Sequence, residues 1–206
     1  SYINLLIESY PKIPRYVHVN RIQRIILGSK IKAGVDKEID RNHFSTVSNC
    51  LWQRSVAQKF SNLEADFSDY RIIYYSQSYN CYCFEAVFTG NTVLGYGRLS
   101  ILNKQSAIIR DIRVLGNMLP IGLKNTQKIG CQHIGIGTSL INKMESVARH
   151  NKIENLFVKP SFGTMKWFIS KGYKQLNSFY LGKNLISISN SKIELPTEIK
   201  NLLMHE

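Results

Sequence analysis

The chain has 206 residues, of which 44% are hydrophobic, enough to bury one core with an extension. Its 27 Lys and Arg outnumber 14 Asp and Glu, and the net charge of +13 favours a polyanionic partner such as RNA or a phosphate-rich cofactor. There is no run of about eighteen apolar residues and no basic-then-apolar opening, so neither a membrane span nor a secretory signal is expected. The expected compartment is cytoplasmic, and the Asn, Ile, Lys and Ser bias suggests an AT-rich genome such as that of a large virus or a parasite.

Residues 1–40 carry Pro11, Pro14, Gly28 and Gly34 without a long period, which predicts an extended, loop-rich arm. Lys12, Arg15, Arg21, Arg24, Lys30 and Lys32 crowd this arm, with Tyr10, Tyr16 and His18 between them. Cations interleaved with aromatics can bind unpaired bases, or can simply be a solvated face. Residues 42–60 predict a helix, with Ser45 as a cap and Val47, Leu51, Val56 and Phe60 near one face. Residues 71–75, 82–88 and 92–102 predict strands, the last two a hairpin turning at Thr89-Gly90-Asn91. Cys81 and Cys83 fall on alternate strand positions and face one way; with Cys50 they either bind zinc or stay as buried thiols. The four cysteines do not form a disulfide scaffold.

Residues 107–115 predict a further strand, followed by a glycine-rich loop over 116–130. Gln132-His133-Ile134-Gly135-Ile136-Gly137 then opens a helix, because Ile136, Leu140, Ile141, Met144, Val147 and Ala148 recur at helical spacing up to His150. Leu156-Phe157-Val158 is a short buried strand, Gly163 opens a helix through Trp167 and Phe168, and Gly172 stops it. Residues 182–206 read as polar, with a weak helix over 197–204. The organisation expected is an extension over 1–65, an α/β domain over 66–185 and a tail over 186–206.

Small residues at Gly135 and Gly137 let backbone N–H groups approach a ligand, and the helix starting there points its positive end at the same place. No Gly-Lys-Ser/Thr follows, and the glycines come after several strands, so nucleoside-triphosphate and dinucleotide loops are disfavoured. Two glycines can also merely relax a turn. For His133, the alternative to a base is a hydrogen bond at the helix start.

The order strand, phosphate loop, helix, strand, helix, Gly-Tyr, strand resembles the GNAT acetyltransferase superfamily, whose pyrophosphate loop reads Gln-x-x-Gly-x-Gly. Residues 109–173 resemble more specifically the acetyltransferase domain of the Elongator catalytic subunit, of the tRNA wobble-uridine modification complex. That family has a strand Arg-Glu-Leu-His-Val-Tyr-Gly, a Val-Pro turn, a Gln-His-Gln-Gly-Phe-Gly loop, and Gly-Thr-x-x-Tyr-Tyr-x-x-x-Gly-Tyr. Here stand Arg110-Asp111-Ile112-Arg113-Val114-Leu115-Gly116, Leu119-Pro120, the Gln132 loop, Gly163-Thr164-Met165-Lys166-Trp167-Phe168 and Gly172-Tyr173. Arg21-Ile22-Gln23-Arg24 and Gly34-Val35 resemble the end of the family's radical-SAM half, whose cluster cysteines are missing here. The expectation is a stand-alone acetyltransferase half or a fragment.

The resemblance implies a mixed α/β GNAT fold, acetyl-CoA as cofactor, and an N-acetyltransferase linked to tRNA modification or lysine acetylation. It implies tRNA, and a separate radical-SAM or Elongator-like protein, as partners. Asp111, Ile112, Arg113, Val114, Gln132, His133, Ile134, Gly135, Ile136, Gly137, Thr138, Ser139, Gly163, Trp167 and Phe168 would bind the cofactor. The amide of Val114 or Leu115 would hold the thioester carbonyl. Asp111 and Glu85 are the candidate bases, with a salt bridge to Arg110 or Arg113 as the alternative role of Asp111. Phe168 occupies the place of the family's tyrosine and has no proton to give the thiolate. The alternative function is a tRNA-binding module that holds acetyl-CoA with little turnover.

Overall fold

A computed structural model describes residues 2–19, 48–59, 66–116, 131–186 and 193–203. Seven strands form one sheet: β1 (Arg71–Ser78), β2 (Cys81–Phe88), β3 (Thr92–Ile101), β4 (Ser106–Val114), β5 (Asn155–Val158), β6 (Lys174–Gln175) and β7 (Leu181–Asn184). Their spatial order is β1-β2-β3-β4-β5-β7-β6. The first four strands run as an antiparallel meander, β5 lies parallel to β4, and β7 pairs antiparallel with β5. β1, at the sheet edge, alternates between exposed and half-buried positions, whereas β2 is buried over most of its length. That difference is what edge and interior placement require.

Among the described residues, five α-helices accompany the sheet: α1 (Tyr2–Ser9), α2 (Val56–Lys59), α3 (Ile136–His150), α4 (Met165–Ser170) and α5 (Thr197–Leu203). α3 buries Ile136, Leu140, Ile141, Met144, Val147 and Ala148, the stripe expected from their spacing. Gly97 permits its close approach, because a Cβ there would run into the Met144 methyl. The sheet is thus a mixed one flanked by helices, as expected, and α4 ends in a turn at Gly172 with φ 87°.

Two local features shape the site. Arg98 faces Asp111 while the next residue, Leu99, faces Ile109, so Arg110 is an extra residue that bulges β4. Pairing of β4 with β5 ends at Ile109 opposite Val158. Beyond that point the two parallel strands part, and the opening between them holds the clefts described below.

Several expectations are corrected. The arm expected to be loop-rich starts in helix α1 and a 3₁₀ turn over Tyr10–Lys12. The helix expected over 42–60 is, in its described part, a run of turns, a single bridge from Ser55 to Val93, and only then α2. The reason is Arg54, whose carbonyl accepts from the Val93 amide at 2.7 Å and whose guanidinium is drawn under the sheet. The expected Ser45 cap lies outside the described residues. The segment read as polar from residue 182 contributes β7, and Ile199 of α5 is buried against Ile108, Phe157 and Tyr180. Lys183 is tolerated inside β7 because its Nζ donates to Glu145 Oε1 at 2.8 Å.

Candidate active site

Gly135 caps α3 at φ 94°, in the left-handed region, and His133 before it has φ 64°. The first helical bond runs from the Ser139 amide to the Gly135 carbonyl at 3.0 Å. The amides of Ile136, Gly137 and Thr138 therefore precede the helical ladder and point out of its positive end. All three residues wall a cleft of about 540 Å³, with Gln132, His133, Gly135, Cys131, Ile112, Val114, Thr164 and Trp167. Trp167 lies against the first turn of α3: a Cβ on Gly137 would stand 3.3 Å from Trp167 Cζ2 and 3.7 Å from Val114 Cγ2. Cys131 is fully buried at the foot of this wall, and burial pushes its thiol up to about 12.

The opposite wall is the free side of β4. The Leu115 amide donates to the Leu94 carbonyl at 2.7 Å, so Leu115 and Leu94 form a hydrogen-bonded pair. Antiparallel ladders alternate, which turns the main-chain groups of Val114 and Ile112 away from β3. Val114, not Leu115, carries the amide that faces the opening. Among the described residues, no strand takes up that side of β4 beyond Ile109.

A second cleft, of about 350 Å³, lies between β4 and the segment that follows β5. Asp111, Arg110, Arg113, Lys159, Ser161 and Phe168 line it, and Ile112 and Thr164 border both clefts. Asp111 Oδ1 accepts from Arg113 Nε at 3.2 Å, the salt-bridge alternative read from the sequence. The Tyr96 phenol is raised from its ordinary value, first by burial and then by the charge of Asp111. Phe168 is 1% exposed, its ring edge-on to Trp167 at 4.9 Å and to Tyr173 at 5.3 Å. The Tyr173 hydroxyl next to it donates to Glu145 Oε1 at 3.3 Å instead of entering a cleft.

Most of the residues expected from the sequence come together here, and several do not. Ile134 packs against the core, Ser139 shares a 2.8 Å hydroxyl contact with Tyr70, and Gly163 lines neither cleft. Glu85 is no free base. Its Oε2 accepts from Arg54 Nη1 at 2.8 Å and Arg15 Nη2 at 2.7 Å, and its Oε1 from Arg54 Nη2 at 2.8 Å and Tyr75 at 2.6 Å. Burial opposes its charge, but Arg54, Tyr75 and Arg15 outweigh burial and hold the carboxyl below the usual carboxylate range.

The expected basic arm is also redrawn. Arg15 is turned into the fold by Glu85 and by Asn91 Oδ1 at 2.8 Å. Tyr10 is buried, Tyr16 stacks on Tyr75, and the exposed His18 stacks on the exposed Trp52. Lys12 is exposed, while Arg21, Arg24, Lys30 and Lys32 lie outside the described residues.

Of the two readings of Cys50, Cys81 and Cys83, the zinc alternative finds no metal-holding cluster among the described residues. Cys50 is buried beside Tyr10, where its Sγ accepts from the Val19 amide at 3.2 Å. Cys81 and Cys83 do face one way, but both reach Gln77 Oε1 at 3.4 Å. Burial, then the neighbouring Cys81, pushes the Cys83 thiol up to about 11. Among the described residues, no three His, Cys, Asp or Glu side chains are placed to hold a metal.

Sequence reasoning missed Thr164, Ser161, Lys159, Arg110 and Cys131 as cleft residues. The Gly-Thr pair at Gly163 was a usable signal for Thr164. Nothing in the sequence signalled the bulge that turns Arg110 out. Among the described residues, no helix is long and apolar enough to cross a membrane.

No family model and no curated protein matches the chain by sequence. Solved structures do match its fold. Elp3 of the archaeon Methanocaldococcus infernus superposes on 88% of the chain with a TM-score of 0.65 at 19% identity. The chain spans 47% of the length of that solved chain, which carries an N-terminal deletion of residues 1–46. An aminoglycoside 6'-N-acetyltransferase complexed with coenzyme A matches 55% of the chain and 77% of its own length, with a TM-score of 0.43 at 10% identity. Tetrahymena GCN5 matches 52% of the chain and 70% of its own length, at 0.41 and 14%. The chain has the GNAT acetyltransferase fold and resembles Elp3 over most of its described length.

Proposed function

We propose that the chain is an acetyl-CoA-dependent N-acyltransferase, with the first cleft for the cofactor and the second for the acceptor amine. The observation that carries this reading is continuity. The open amides of the α3 first turn, under Trp167, lead to the free edge of β4 at Val114 and Ile112, and Ile112 borders both clefts. A Cβ on Gly137 would press on Trp167 at 3.3 Å, so glycine there keeps the approach to the helix start widest, which favours a pyrophosphate.

Bound acetyl-CoA would supply an acetyl group already activated as a thioester. The α3 amides would hold its phosphates, and Trp167 would cover the pantetheine. The Val114 amide would donate to the thioester oxygen, a contact that strengthens as negative charge grows there. Asp111, the carboxylate that lines the second cleft, would take a proton from the amine directly or through water. Phe168 has no proton to give the CoA thiolate that acyl transfer would release, so that proton would have to come from water. Positioning then supplies most of the acceleration.

The resemblance to the Elongator catalytic subunit supports tRNA wobble-uridine modification or lysine acetylation as the setting, with tRNA and a separate radical-SAM or Elongator-like protein as partners. Phe168 favours a second reading, a tRNA-binding module that holds acetyl-CoA and turns over little. Release of CoA thiol from acetyl-CoA, with and without tRNA and beside a tRNA gel shift, separates the two. Thiol release stimulated by tRNA supports the enzyme, and binding of both without release supports the module. Failure to bind acetyl-CoA at all refutes both.

A further inference from the structure

Tyr96 stands beside Asp111 and has no part in the steps above. A Cβ on Gly95 would meet Ile136 and one on Gly97 would meet Met144, so both glycines face α3. Tyr96, between them, points to the other face of the sheet. The register sets Tyr96 opposite Arg113 and Arg98 opposite Asp111, which puts all four side chains on that face. There the Tyr96 phenol is hydrogen-bonded to the Asp111 carboxylate. Arg98 Nη2 is directed instead at the Tyr16 carbonyl, 3.4 Å away. Arg113, which also donates to Asp111, is 66% exposed, and an exposed arginine holds a carboxylate loosely. The phenol ring is held better. It packs with Tyr16, Tyr75, Glu85 and Arg98 around a space of about 10 Å³, no more than one water needs. Tyr16 is fixed there through its neighbour: the Arg15 carbonyl accepts from Arg54 Nη2 at 3.0 Å, and Arg15 Nη2 donates to Glu85. A chain of contacts thus runs from the Glu85 ion network through Tyr16 and Tyr96 to Asp111.

We propose that Tyr96 is a positioning residue for acyl transfer: its phenol donates to Asp111 and fixes that carboxylate toward the second cleft, where the acceptor amine would meet it. The role rests on the acyl-transfer reading, with Asp111 as the base. Tyr96 acts through Asp111 and not on the acceptor, because its ring lines neither cleft. The Glu85 network, which supplies no base of its own, serves the acceptor side by backing this ring.

The test is thiol release from acetyl-CoA, with tRNA or a lysine-rich peptide as acceptor, by the wild type, Tyr96→Phe, Asp111→Asn and the double variant. Coenzyme A is titrated in parallel, and thermal melting checks each fold. Tyr96→Phe should lower kcat at least about tenfold, as a misplaced catalytic group does, with KM for acetyl-CoA and coenzyme A affinity unchanged. Asp111→Asn should lower kcat about a hundredfold or more, and adding Tyr96→Phe to it should cost nothing further. Tyr75→Phe, on the same face but with its hydroxyl on Glu85, should not reproduce the loss. A second readout needs no turnover. The tyrosine ring-carbon NMR signal missing from Tyr96→Phe identifies the phenol. Burial first and the Asp111 charge second hold that phenol above its ordinary value, so Asp111→Asn should move its ionisation to lower pH. Unchanged kcat in Tyr96→Phe would overturn the proposal and leave acyl transfer standing. So would additive losses in the double variant, an equal loss in Tyr75→Phe, or an unmoved phenol titration. Absence of thiol release by the wild type with either acceptor would overturn acyl transfer, and the role of Tyr96 with it.

Discussion

Trp167 roofs Gly137, with its ring 3.3 Å from where a Cβ on that glycine would lie. The same indole meets Phe168 edge-on, so the first cleft and the core share one aromatic wall. Trp167→Ala should therefore weaken coenzyme A by about 1 kcal/mol, or roughly fivefold, the scale of one aromatic contact. Calorimetric titration reads this directly, and unchanged affinity would remove Trp167 from the cofactor's surroundings.

Glu85 and Arg54 form a buried pair that joins the N-terminal segment to β2, each side chain 1% exposed. Glu85→Gln leaves Arg54 charged and uncompensated, so a loss of about 3–5 kcal/mol in urea unfolding is expected. The pair also sets an acid limit. The folded carboxyl lies below its ordinary value, so its contribution is present above the unfolded pKa of about 4.3 and fades as pH falls toward the folded one. Glu85→Gln should flatten that part of the stability profile. An unaltered acid limb would assign it to other groups.

Phe168 lines the second cleft, at the position where the family the sequence resembles has a tyrosine. If transfer is limited by protonation of the thiolate, Phe168→Tyr should raise kcat at least tenfold, a modest share of what a placed acid gives. The thiol-release assay reports it. Unchanged kcat with intact cofactor binding would show that the missing hydroxyl does not limit the reaction.

Val114 and Leu115 are neighbours with opposite main-chain duties. Leu115→Pro deletes a 2.7 Å sheet bond to Leu94 and should destabilise the fold by about 1–3 kcal/mol. Val114→Pro deletes an amide that faces the opening and should lower kcat at least about a hundredfold, as loss of an oxyanion donor does. The comparison needs thermal melts and rates for both variants. Equal loss of stability in the two would mean that Val114 serves only the sheet.

The inner strands and α3 were legible because apolar residues recur at periods of two and 3.6, and the Gln132–Gly137 loop because glycine there answers to a specific backbone demand. A strand after Gly172-Tyr173 was expected from the order of elements, but the position of β7 was not legible, since Gly182 and Lys183 break the apolar pattern and Lys183 is reconciled by Glu145, 38 residues away. The same holds for Arg54 and Glu85, 31 residues apart, which turned an expected base into a structural ion pair and an expected helix into turns. Cys50 misled because identity and strand alternation say nothing of distance. The cations of the second cleft stayed hidden because a bulge, which leaves no period, turns Arg110 outward.

The central claim is that the first cleft holds an acyl-CoA at the start of α3. Titration of acetyl-CoA into the wild type and Gly137→Val, with the fold of both verified by thermal melting, tests it most directly. The account predicts saturable binding to the wild type and loss of at least tenfold in affinity in the variant, because the valine must displace Trp167 into the cleft. Equal affinity in a folded Gly137→Val, or no binding to the wild type, would contradict it.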